Sequence, residues 1–156
     1  MKRTAILFTV LVIATLGLAA PVGAGGSCHT INAWGVGQDL GPVEGTIAQI
    51  HGGGLLQGTT VGLFEATGGE LPMLEIAGPV TFTTNRATLT VSLAGTFNLA
   101  TGVFTVEGPV SDATGKLTGA SGYLFFDGFE DLSTFAFTET ITGEICVDLG
   151  GNGKRK

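Results

Sequence analysis

The sequence predicts an all-β chain, an antiparallel β-barrel of about eight strands, and three observations carry that reading. Apolar and polar residues alternate with period two through most of the chain, and no segment shows the three-to-four-residue apolar period of a helix. Glycine accounts for 27 of the 156 residues, without a collagen-like repeat, and falls at turns and inside strands where tight curvature needs it. The two cysteines, Cys28 and Cys146, lie near the two ends of the exported part of the chain, so a bond between them sets the first and last strands side by side.

Residues 1–24 read as a cleaved secretory signal peptide: Lys2 and Arg3, an uncharged apolar run from Ala5 to Ala20, then Val22 and Ala24 at the positions three and one before the cut. The run is short for a membrane span, so no span is expected after cleavage. Export places the protein outside the cell, or in the periplasm of a two-membrane bacterium. Removing 24 of 156 residues leaves 132, one domain of ordinary size spanning 25–149 with a flexible basic tail at 150–156. All 13 acidic residues fall in this part against five cations, a net charge of −8, which argues against nucleic acid as a partner.

Along the exported chain, CHTINAWGVGQ (28–38) is a first strand, stopped by the turn signal DLGP. VEGTIAQI (43–50) is a second, HGGGLLQG (51–58) a connection, and TTVGLFEAT (59–67) a third strand ended by two glycines. Leu74, Ile76, Gly78, Val80 and Phe82 share one face of the fourth, with Pro79 marking an edge, bulge or bend and Gly78 beside it a barrel corner. The clearest pattern is 87–110. Ala87, Leu89, Val91, Leu93, Gly95 and Phe97 alternate with polar or small residues, and after Ala100–Gly102 the alternation resumes as Phe104, Val106, Gly108, Val110, which makes a hairpin. SGYLFFDGF (121–129), a turn at EDLS, and the long last strand 134–148 complete the set. Gly-Pro-Val and Ala-Thr-Gly each recur three times at irregular spacing, which is repeated turn chemistry and not a solenoid.

The corner Thr114, Gly115, Lys116, Leu117, Ala120, Gly122, Tyr123, TGKLxxAxGY, resembles a stretch of the dirigent proteins and the related allene oxide cyclase barrels. The resemblance covers roughly ten residues. It implies an eight-stranded antiparallel barrel with a central apolar cavity, often trimeric, that steers phenoxy-radical coupling or cyclises an unsaturated fatty-acid epoxide. The catalytic residues of those families have no match here, so the resemblance bears on fold and not on chemistry.

Glu139 is the foremost candidate for chemistry. On the last strand it shares a face with Phe135, Phe137, Ile141, Ile145 and Val147, so inside a barrel it is desolvated, with a raised pKa suited to general acid or base work or to orienting a ligand. The plainer reading makes it a rim residue or one hydrogen-bonded to Thr hydroxyls. Glu65, beside Val61 and Leu63, poses the same question. Phe135, Phe137 and Tyr123 join Glu139 and Glu65 as candidates to line a ligand site, and the ten Phe with Trp34 and Tyr123 read as core and barrel lining. His29 and His51 have no second ligand at metal spacing, so no zinc is expected, and His51 beside three glycines reads as a loop residue. Asp127, Glu130 and Asp131 form an acidic turn, solvated or open to calcium, without EF-hand spacing. GxSxG and CxxC are absent, and so is a phosphate-cradling loop. The expected function is a cofactor-free secreted barrel that binds a small apolar ligand or acts as an interaction module, with homo-oligomers open to it. A dirigent- or allene oxide cyclase-like enzyme using Glu139 and a structural or adhesive surface protein are the alternatives.

Overall fold

The structure, a computed structural model, describes residues 26–149; the expected signal peptide (1–24) and the expected basic tail (150–156) lie outside the described residues. Nine antiparallel strands form one sheet that closes on itself: β1 (Ser27–Asp39), β2 (Thr46–Gly52), β3 (Gly58–Gly62), β4 (Glu65–Glu70), β5 (Met73–Thr83), β6 (Thr88–Asn98), β7 (Val103–Ala113), β8 (Ser121–Asp131) and β9 (Ala136–Val147). Eight of them make the barrel. Apart from β3 and β4, which both pair with β5, strands adjacent in sequence pair with each other; β1 pairs with β9 over twelve residue pairs from Ser27↔Val147 to Gln38↔Ala136, and β3 pairs with both β2 and β5.

The ninth strand comes from the expected third one. TTVGLFEAT divides at Leu63 and Phe64: β3 runs beside the second half of β5, and β4 runs beside its first half. The break faces Gly78 and Pro79. Pro79 has no N–H to give, but its carbonyl accepts from Leu63 N at 3.1 Å, and a Cβ at Gly78 would collide with the Leu63 carbonyl. The residue pair read as a corner is thus where the partner of β5 changes.

Other boundaries moved for local reasons. β2 begins three residues later than expected and runs on through His51, which is therefore a strand residue and not a loop residue. Its ring stacks on Trp34 at 4.3 Å on the outer face. β8 runs through Asp131, so Asp127, Glu130 and Asp131 are not a turn. The turn is formed by the next four residues, with Asp131 Oδ1 accepting from Ser133 N at 2.9 Å and from Ser133 Oγ at 2.6 Å.

Inward residues fill one end of the barrel and leave the other open. At the end where β1 begins, Ile31, Ile50, Phe82, Leu89, Leu124 and Ile145 are fully buried, and two short 3₁₀ turns, Gly54–Leu56 and Gly115–Leu117, seal it with the buried side chains of Leu56 and Leu117. Each such leucine contributes about 1.5–3 kcal/mol by leaving water. The TGKLxxAxGY stretch forms the second seal: Gly115 and Gly119 take φ of +61° and +78°, and Lys116 is exposed. The outer face carries Glu75, Glu107, Asp127 and Glu144 among rows of Thr, together with exposed apolar side chains such as Trp34, Val61, Tyr123, Phe125 and Phe129. Among the described residues no helix is long and apolar enough to cross a membrane.

Cys28 and Cys146 face each other across β1 and β9, bonded, with Cα atoms 3.9 Å apart. A covalent loop of 118 residues restricts the unfolded chain by roughly 4–5 kcal/mol in the chain-entropy account. Urea unfolding with and without reductant should therefore show a loss of up to that size, with the β-sheet circular dichroism of the reduced protein unchanged before its earlier transition, because twelve residue pairs still hold the seam. Loss of β signal on reduction in the absence of urea would show instead that the bond, not the pairing, closes the barrel.

Candidate functional site

At the open end, where the β1–β2, β4–β5, β6–β7 and β8–β9 turns gather, the barrel holds a cavity of about 260 Å³. Its wall is largely apolar: Phe64, Phe97, Phe104, Phe126 and Phe137 line it with Ile76, Val80, Leu93 and Val106, and the rings of Phe104 and Phe137 meet edge to face with centroids 6.1 Å apart. Three carboxyl residues also line it, Glu139 on β9, Glu130 at the end of β8 and Asp39 at the end of β1.

The space exists because inward positions on neighbouring strands are glycines. Phe137 pairs in register with Gly37 and Phe104 with Gly128, and in both pairs a Cβ on the glycine would run into the ring. Each phenylalanine thus lies over the neighbouring strand where a side chain is missing. Glu139 does the same over Gly35: a methyl group there would stand 2.7 Å from its Oε1 and 2.9 Å from Ile50 Cδ1. On its other side Glu139 pairs with Gly128, so neither flanking strand offers it a polar side chain at that level.

Glu139 makes no hydrogen bond or ion pair among the described residues, and burial pushes its pKa up to about 7. No Thr hydroxyl bonds to it. Glu130, 8% exposed, is also raised to about 7, first by burial and then by the charge of Asp39. Asp39 Oδ1 accepts from Gly41 N at 2.7 Å, holding the β1–β2 turn over one side of the opening. These carboxylates do not converge to metal-binding distance. The one cluster of three ligand-type side chains among the described residues, Cys28, Glu144 and Cys146, has its sulfurs in the disulfide.

Of the candidates named from sequence, Phe137 and Glu139 line the cavity. Phe135 does not: it sits in the β8–β9 turn with φ of +59°, 52% exposed. Glu65 is exposed on β4, because Val61 and Leu63 face outward and Thr60, Gly62 and Phe64 form the inner face of that segment. Tyr123 lies on the outer face beside Phe125, with centroids 5.2 Å apart. Trp34, Phe125 and Phe129 are also exposed, so the aromatic residues are not all lining. Asp39 and Glu130 line the cavity as well, and for Glu130 the signal is the inward alternation Leu124, Phe126, Gly128, which carries straight on to it.

No protein-family model matches this chain, and no curated protein matches it either.

A buried carboxyl whose proton is held more tightly in the folded state makes stability depend on pH. Below about 4.5 both states are protonated and the burial of Glu139 carries no charge penalty; through pH 7 and above, folding must bury a charge. Stability should thus fall as pH rises from about 4.5 to about 7, with the Glu139 share on the order of 3 kcal/mol at most. Glu139→Gln should match the wild type at pH 4.5, exceed it in stability at pH 8, and flatten the profile between them in denaturation midpoints. Equal pH profiles for the two proteins would place the Glu139 carboxyl in water.

Proposed function

We propose that this chain is a secreted, disulfide-closed barrel that holds a small, largely apolar ligand in the cavity at its open end. The observation that carries the reading is the contrast between the two ends: one solid and sealed by Leu56 and Leu117, the other a space of about 260 Å³ walled by five phenylalanines and opening between turns. An apolar hollow with a few polar groups set into it is what a small-molecule site requires. A scaffold or adhesive role needs no such hollow, since a filled barrel is more stable. The disulfide fits an oxidising compartment and so supports export.

A second reading, a barrel enzyme of the dirigent or allene oxide cyclase kind, is favoured by one observation: an unpartnered carboxyl poised near neutrality within an apolar cavity, able to take or give a proton beside a bound substrate. If it holds, Glu139→Gln abolishes turnover of a hydrophobic substrate while the melting temperature is kept or raised.

The container reading is tested by a small neutral fluorophore such as 1-aminonaphthalene, which should bind saturably at one per chain with a blue-shifted emission. Val106→Trp, which fills the cavity from its wall at a cost of about 1–3 kcal/mol, should remove that binding and leave a folded protein. Absence of saturable binding by the wild type would end this reading.

A further inference from the structure

Beyond the apolar cavity proposed above, and resting on that reading, the distribution of charge defines the ligand further. We propose that the cavity takes an apolar organic cation, an aromatic ring carrying a short protonated amine, with the ammonium against the Glu139 carboxylate and the ring among the phenylalanines.

Four observations on the structure lead there. Every charged side chain lining the cavity is acidic: Glu139 within it, Glu130 and Asp39 at its mouth. Arg86 and Lys116, the only Arg or Lys among the described residues, sit together at the sealed end, where Lys116 N donates to the Arg86 carbonyl at 3.1 Å. A carboxylate ligand would thus meet three like charges and no counterion, whereas a cation meets attraction from the mouth inward. The Glu139 carboxyl makes no hydrogen bond or ion pair among the described residues and lies against glycine on both flanking strands, Gly35 and Gly128; it lines the cavity and also borders a shallower outer cleft with Trp34 and Asp127, so its oxygens are open to an incoming group. Finally, five phenylalanine rings are among the lining residues, a side chain that attracts a cation at its face and packs against a ring.

Size sets the rest. An apolar cavity of about 150 Å³ takes a benzene, so 260 Å³ takes one ring with a short aliphatic tail and not a long acyl chain. The other titratable groups around Glu139 are Asp39 and Glu130 in the cavity and Asp127 in the outer cleft, all of which add to the attraction when ionised, and no histidine lines either space. Protonation of Glu139 at low pH removes the counterion, so amine binding should weaken as pH falls through neutrality while binding of a neutral analogue holds.

The experiment is calorimetry of the full exported chain at pH 8 and pH 5 with three near-isosteric probes: 2-phenylethylamine, 2-phenylethanol and 3-phenylpropanoate. At pH 8 the amine should bind about tenfold or more tighter than the alcohol, as expected for a charge-assisted contact out of water, and the carboxylate most weakly. At pH 5 the amine's advantage should shrink. Glu139→Gln, shown folded by its melting curve, should reduce the amine at pH 8 to within about threefold of the alcohol and leave the alcohol's affinity in place. If alcohol and amine bind alike, or Glu139→Gln leaves the amine's advantage intact, the cation assignment is overturned while the container stands. If none of the three probes binds, both fall.

Discussion

Pairing of β1 with β9 is the constraint on which the rest of the molecule depends, because without it the chain is an open meander whose inner face meets water. Closure places β1 between β2 and β9, and the return of β3 to β5 completes the circle. Every barrel strand then has neighbours on both sides, so backbone donors and acceptors are satisfied within the sheet. The exception is β4, which pairs only with β5. It is a short strand with a register shift between Ala66 and Gly68 and a glutamate at each end, features that discourage another chain from pairing with its edge.

Closure alone gives a cylinder and does not say whether it is hollow. That is decided by what the inward positions carry along its length. Toward the sealed end they are Ile, Leu, Val and Phe, which meet across the axis and exclude water. Toward the mouth they are interrupted by glycine on four strands around the barrel, at Gly35 and Gly37 on β1, Gly62 on β3, Gly95 on β6 and Gly128 on β8. Some of that space is retaken by cross-strand phenylalanine rings, and the remainder is the cavity. The position of the buried carboxyl follows from the same arrangement, since a side chain at residue 35 would occupy the place Glu139 takes.

The barrel was legible because period two, turn glycines and terminal cysteines all point the same way, and the inward rows of β5, β6 and β9 fall where the alternation puts them. The site was legible only in part. Glu139 stands in an otherwise apolar row, which fixes its face. On β8 the outward row Tyr123, Phe125, Phe129 is as aromatic as the inward row Leu124, Phe126 is apolar, so hydrophobicity does not choose between the faces. Phe135 kept the parity of Phe137 in the sequence but lies beyond the strand, where the chain turns with positive φ and parity no longer applies. Asp39 and Glu130 belong to strand ends next to turns, and acidic residues beside turn signals read most simply as solvated. Their shared burial depends on β1 and β8 both flanking β9, which is a property of closure and not of either segment.

The two ends of the molecule obey different rules. The sealed end follows ordinary stability: large, fully buried apolar side chains, a covalent tie and 3₁₀ plugs. At the mouth, glycines stand where methyl groups would fill space, and a carboxyl is desolvated without a partner, each a cost that a leucine in the same wall would relieve. Local rules broken at one place in an otherwise consistent fold mark where the sequence serves something other than stability. The breaches here coincide in one cavity and are of complementary kinds, space on one hand and unneutralised negative charge on the other. A molecule that supplies apolar volume and positive charge together relieves both, which is why the hollow and the acid are best understood as two halves of one binding site.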